Sequence, residues 1–169
     1  ETRFNNKVLS NTDLVEIAES WSVKTQKEPN ATVGSLIYNV VGQTRDKIVK
    51  PELEEALSIA AGIAGIDLIT ITSGAQPGSD GKRIGSFRHD TGLAADFTMA
   101  KDGKILNAGN VKHQAIMSEF LKAAKTQGIL AGGMSKNYMG NNTMHLDMLG
   151  AQNHRTSGYD KKTIITWKS

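Results

Sequence analysis

Gly85-Ser-Phe-Arg-His89-Asp-Thr-Gly92-Leu-Ala-Ala-Asp96-Phe97 is the stretch on which the fold turns. As one extended strand it would hold His89 and Asp96 roughly 23 Å apart, too far for both to serve one site. Asp90-Thr91-Gly92 supplies turn-forming residues. The segment therefore reads as a candidate ligand, a turn, and a strand from Leu93 to Met99. On that strand Ala94, Asp96 and Thr98 share one face. A second strand, Thr143-Met-His145-Leu-Asp147-Met148, puts His145 and Asp147 on one side and Leu146 and Met148 on the other. Two imidazoles and one carboxylate suit a zinc ion that keeps a position open, because catalytic zinc takes three nitrogen or oxygen ligands plus water. His89, Asp96 and His145 are thus the candidate metal ligands. A lone histidine at a strand end is ordinarily a surface or core residue, and only the combination points to a metal. His113 and His154 lack matching partners and are assigned to a helix face and a loop.

Working outward, the clearest strand is Asp67-Leu-Ile-Thr-Ile-Thr72, rich in β-branched residues. Upstream of it the chain reads as helical. Asn11 or Thr12 caps a first helix over Asp13 to Ser20, with Glu16 near the capping-box position. Lys24 to Asn30, with Pro29, is a loop. Thr32 caps a second helix through Leu36, Ile37, Val40 and Val41. Pro51 opens a third, whose acids Glu52, Glu54 and Glu55 suit the positive end of the helix dipole. Its apolar face is Leu53, Leu57, Ala60, Ala61 and Ala64, and Gly65 ends it.

Downstream, Gly74 to Gly85 is a long loop and Lys101-Asp-Gly-Lys104 a turn. Val111 to Thr126 is an amphipathic helix carrying Ile116, Phe120 and Ala124 on one side, closed by Gly128. Gly132 to Asn142 reads as a loop, and Lys162 to Trp167 as a last strand. The expectation is an α+β fold: an antiparallel sheet carrying a zinc site, flanked by helices, with a helical N-terminal third. Residues 1–169 are read as one domain, with a helical part at 1–66 and the zinc-site core at 67–148.

Composition narrows the function classes. With 169 residues, the chain is long enough to bury a real core. Its 38% hydrophobic and 22% charged content is that of an ordinary globular protein. No apolar run approaches the length of a membrane span; the longest, Ala56 to Ile66, contains two glycines. The absence of cysteine excludes disulfides and thiolate metal sites. A net charge of +3 is compatible with an anionic cell wall or with nucleic acid and selects neither. Nucleic-acid binding is not expected, because aromatics are 5% and no basic helix or binding motif is present. Phosphate binding fails in detail: Gly78 and Gly81 are mis-spaced for a P-loop, and Lys82 is followed by Arg83. The chain opens on Glu1 without a signal peptide, which suggests a processed product or a piece of a longer one.

His89-x-x-Gly92-x-Ala94-x-Asp96 followed by His145-x-Asp147 resembles the zinc peptidases that include D-alanyl-D-alanine carboxypeptidases, D-Ala-D-Ala dipeptidases and phage L-alanyl-D-glutamate endolysins. The zinc-binding fold of hedgehog signalling domains is similar. The likeness covers roughly Asp67 to Met148. It implies that His89, Asp96 and His145 hold Zn2+ and that the substrate is a peptidoglycan stem peptide. It also implies an extracellular, periplasmic or virion-associated location, as part of a larger polypeptide or virion assembly. Two departures stand out. The family acid three residues before the late histidine is Asn142 here, and the family Ser-Gly-Tyr-Arg element is Ser73-Gly-Ala-Gln76.

Zinc hydrolysis needs a base for water and an acid for the leaving amine. Asp147 is the first candidate and Asp90 the second. Asp147 also reads as a partner that orients an imidazole. For stabilising developing negative charge the candidates are Arg83, preferred, and Gln76. Arg88 faces away if its segment is extended. Tyr138 is a candidate cleft residue, and Gly140 a point of close backbone approach. The reading is a zinc-dependent peptidoglycan peptidase of D,D-carboxypeptidase or L-Ala-D-Glu endopeptidase type. The alternative is an inactive, zinc-stabilised structural or wall-binding module, for which Asn142 and Gln76 speak.

Overall fold

The computed structural model describes residues 33–77, 85, 87–134 and 139–149, together with the backbone of short strands at 3–4, 7–8 and 165–168. The chain divides into two compact units, Glu1–Ala31 and Thr32–Ser169. In the first, β1 (Arg3–Phe4) and β2 (Lys7–Val8) form an antiparallel pair with Arg3 opposite Val8. The helix expected over 13–20 and the loop at 24–30 lie outside the described residues.

The second unit runs β3 (Ser35–Tyr38), α1 (Pro51–Ile63), β4 (Leu68–Ser73), a 3₁₀ turn (Phe87–Thr91), β5 (Ala94–Lys101), β6 (Lys104–Ile105), α2 (Val111–Thr126), β7 (Ala131–Met134), β8 (Thr143–Asp147) and β9 (Ile165–Lys168). The sheet order is β3-β4-β5-β8-β7-β9, with β6 folded back on the end of β5. It is an α+β fold, but the sheet is mixed rather than purely antiparallel. β3 and β4 are parallel because α1 lies between them and returns the chain to the same end of the sheet. The other pairings are antiparallel.

The helix expected from Thr32 through Val41 is overturned: Ser35–Tyr38 is the strand β3. A helical stripe would have been buried together, yet Ile37 and Val41 are exposed. Leu36 and Tyr38 instead pack toward the core in alternation. The Tyr38 hydroxyl donates to Glu54 Oε1 at 2.5 Å and accepts from the Val49 amide, tying β3 to α1. The loop expected at 132–142 is also corrected in part, since Ala131–Met134 is the strand β7. Its glycines argue against a strand by propensity but are required by space. A Cβ on Gly132 would collide with the Leu146 side chain and the His145 carbonyl oxygen of β8.

The remaining elements follow their local chemistry. Pro51 sits in the first turn of α1 with Glu52 and Glu54. Asn110 caps α2 by accepting from the Lys112 and His113 amides. Asp102 (φ 51°) and Gly103 (φ 69°) form the tight turn between β5 and β6. Leu53, Leu57 and Ala60 of α1 and Met117, Phe120 and Ala124 of α2 share one core with Ile69, Ile71, Phe97, Met99, Met144 and Leu146 of the sheet. Phe97 meets Phe120 edge-on at 5.9 Å between centroids. Alternation then sends Ala94, Asp96, His145 and Asp147 to the sheet's other face. No helix among the described residues is long and apolar enough to cross a membrane.

Candidate metal centre

Asp96 of β5 and His145 of β8 are directly opposed across an antiparallel pair. Such partners have Cβ atoms about 4.5–5.5 Å apart, so a carboxylate and an imidazole on the same face must meet. They do: His145 Nδ1 lies 2.7 Å from Asp96 Oδ1. The third member arrives from the 3₁₀ turn. Gly92, at φ +74°, lets the chain reverse from that turn into β5. The His89 carbonyl accepts from the Gln76 and Gly92 amides, which fixes the turn against the end of β4. His89 Nε2 then comes within 3.6 Å of the same Asp96 Oδ1.

His89, Asp96 and His145 are all buried, and their ligand atoms lie within 4.8 Å of one another. For ligand distances of about 2.0–2.1 Å, tetrahedral donors stand about 3.3 Å apart. The His145–Asp96 pair at 2.7 Å must open slightly and the His89–Asp96 pair at 3.6 Å close slightly to take an ion. The donor set fits a metal ion, and the far nitrogens of both rings are already committed. His89 Nδ1 is 2.8 Å from the Gly74 carbonyl oxygen, which only an N–H can satisfy, so Nε2 is the nitrogen turned to the site. His145 Nε2 is 3.0 Å from Asp147 Oδ2, leaving Nδ1 as its ligand atom. A carboxylate or carbonyl behind each imidazole is the usual way metal-binding histidines are oriented.

Asp147 is fully buried, with both oxygens engaged. Arg88 Nε donates to Oδ2 at 2.6 Å and Nη2 to Oδ1 at 2.5 Å, and the Leu149 amide donates to Oδ1 at 2.9 Å. Burial alone would raise its pKa, but the hydrogen bonds from His145 and Arg88 prevail and bring it down to about 2. Burial would likewise lower His145, whereas its bonds to Asp147 and Asp96 lift it to about 9. Asp96 is held below the usual carboxylate range, its desolvation outweighed by the bonds from His145 and His89. Both neighbouring carboxylates thus favour the charged form of His145.

The other expected residues are distributed as follows. Gln76 is buried and donates its amide to Asp90 Oδ1 at 2.7 Å, joining two of the candidate polar residues. Arg88 does not face away. The segment is a 3₁₀ turn rather than extended, which buries the guanidinium on Asp147. Arg83, Tyr138 and His154 lie outside the described residues. His113 Nδ1 accepts from the Asn107 amide beside α2. Asn142 is exposed in the bend before β8. A Cβ on Gly140 would meet nothing within 4 Å, so its φ of +77° serves a turn and not a close approach among the described residues.

Sequence reasoning missed Arg45, whose Nη1 lies 3.2 Å from Asp96 Oδ2. No motif announces it. It comes from the segment between β3 and α1, which is stitched to the end of β4: the Gly74 amide donates to the Arg45 carbonyl, and Lys47 and Ala75 exchange two backbone hydrogen bonds. The only local signal is Gly74, where a Cβ would collide with the Lys47 carbonyl oxygen. Comparison with known protein families, with curated proteins and with solved structures finds no match.

Proposed function

We propose that this chain is a zinc-dependent peptidase of peptidoglycan stem peptides, of D,D-carboxypeptidase or L-Ala-D-Glu endopeptidase type. The observation that carries the reading is the buried His89–Asp96–His145 cluster on one face of the sheet. The identity of the ion rests on the donor set, two imidazoles and one carboxylate with no thiolate in the chain. The substrate class rests on the sequence resemblance. Zinc bound there supplies Lewis acidity toward a scissile carbonyl. His89 and His145 are held in register by the Gly74 carbonyl and by Asp147.

The geometry favours Asp147 as an orienting group over its reading as base. A carboxylate with a pKa near 2, clamped by Arg88, takes up protons poorly at neutral pH. Proton transfer then falls to Asp90, half-buried beside His89 and bonded by the Gln76 amide. Arg83 and Gln76 are assigned to stabilising the developing oxyanion.

Zinc-loaded protein is expected to release new amino groups from peptidoglycan, and chelation to stop the release. Alanine at His89, Asp96 or His145 should abolish stoichiometric zinc. The enclosure of Asp147 and the non-titrating Asn142 favour a second reading, a zinc-stabilised structural or wall-binding module. Stoichiometric zinc with no cleavage of either Gram-negative or Gram-positive walls would establish that alternative.

A further inference from the structure

Asp96 divides its two oxygens between different partners. Oδ1 faces the ligand nitrogens of His145 at 2.7 Å and His89 at 3.6 Å, whereas Oδ2 takes Arg45 Nη1 at 3.2 Å. The guanidinium has a prepared place. Its backbone is fixed to Gly74 and Ala75 at the end of β4. Gly85 leaves room for the head group, since a Cβ there would stand 2.8 Å from Arg45 Nη2. The backbone of Asp96 is fixed on both sides, paired with His145 on one and with Ser73, across a bulge, on the other.

From this division we infer that Arg45 is a positioning residue that keeps Asp96 a one-oxygen ligand and so holds the metal at three protein donors with an open fourth position. The inference rests on the metal-site part of the proposed function and not on its substrate. A carboxylate free at both oxygens can bind an ion through both, which fills the position a substrate or water needs. A guanidinium on Oδ2 opposes that by charge repulsion with the ion and by a hydrogen bond that bidentate binding would break. Arg45 also offsets the carboxylate's charge where it is desolvated.

The test uses the full chain with zinc for affinity, measured by chelator competition, and with cobalt(II) for coordination number, read from the intensity of its visible absorption. Arg45→Met keeps most of the side-chain volume and removes the charge and donors. It should bind zinc at least as tightly as the wild type, since the ion loses a repelling charge and gains a second oxygen. It should also shift the cobalt spectrum from the intense four-coordinate form toward the weaker five-coordinate one. Arg45→Lys, which keeps the charge, should stay near the wild type in both. An unchanged spectrum in Arg45→Met would overturn the inference. So would a lowered zinc affinity in that variant, which is the signature of lost packing alone. Wild-type protein that takes up no zinc would remove this inference and the metal reading beneath it together. Because the readout is metal geometry and not turnover, the result stands whether or not the chain cleaves a peptide.

Discussion

At the scale of single residues, the site is organised by carboxylates that each serve two masters. Asp147 ties Arg88 to His145, so it is part of the support of the ligand and of the buried charge balance. Asp147→Asn should therefore lower zinc affinity about 10–100-fold. It should also destabilise the fold by about 3–5 kcal/mol, because Arg88 would keep its buried charge without the balancing carboxylate. Denaturant titration and chelator competition on the same variant check both. Full zinc affinity with lost turnover would instead return Asp147 to the role of base.

His145 gives a second expectation at this scale. Its folded pKa is raised from 6.5 to about 9, so the stabilisation it gives the metal-free protein is complete below pH 6.5 and is lost as pH rises through about 9. Zinc must displace the proton on Nδ1, so uptake near neutral pH should release one proton from His145, and affinity should climb until about pH 9. Calorimetry in buffers of differing ionisation enthalpy counts that proton. Zinc affinity that does not change between pH 6.5 and 9 would contradict it.

At the scale of elements, legibility followed local information. α1 and α2 were readable because Pro51, Glu52, Glu54 and the Leu53/Leu57 and Phe120/Ala124 spacings all act within a few residues. β5 and β8 were readable by alternation, and with them Asp96 and His145 of the candidate metal site. β3 was misread because Leu36 and Ile37, with Val40 and Val41 just beyond the strand, fall at spacings that suit a helix as well. Only the parallel pairing with β4 decides between them. β7 was misread because its glycines answer a neighbour's bulk and not a propensity of their own. Gly132→Ala should accordingly cost about 1–3 kcal/mol or more through overpacking against β8, where an exposed helix glycine would gain by the same change. A thermal melt decides it. Arg45 was invisible for a related reason: its place depends on backbone stitching between segments 28 residues apart, Lys47 to Ala75 at the nearest.

At the scale of the molecule, the unit Thr32–Ser169 has one sheet with two different jobs on its faces. Helices and the apolar core take one, and the histidines and carboxylates take the other. Since the ligands come from β5, β8 and the 3₁₀ turn, an ion there ties three separate stretches of chain together. Zinc at a thousand times its dissociation constant should add about 4 kcal/mol to stability, visible as a concentration-dependent rise in melting temperature that a chelator reverses. The register that opposes Asp96 to His145 has a further consequence, one for how this sequence can vary in descent. Ala95 and Phe97, the immediate neighbours of Asp96, point into the core, as Met144 and Leu146 do beside His145. A single codon gained or lost inside β5 or β8 would turn the sheet inside out, moving the ligands into oil and the oil into the site. The turn at Asp102–Gly103, which lies beyond the paired ligands, is under no such restriction. Length variation among descendants should therefore accumulate at that turn and spare the two strands.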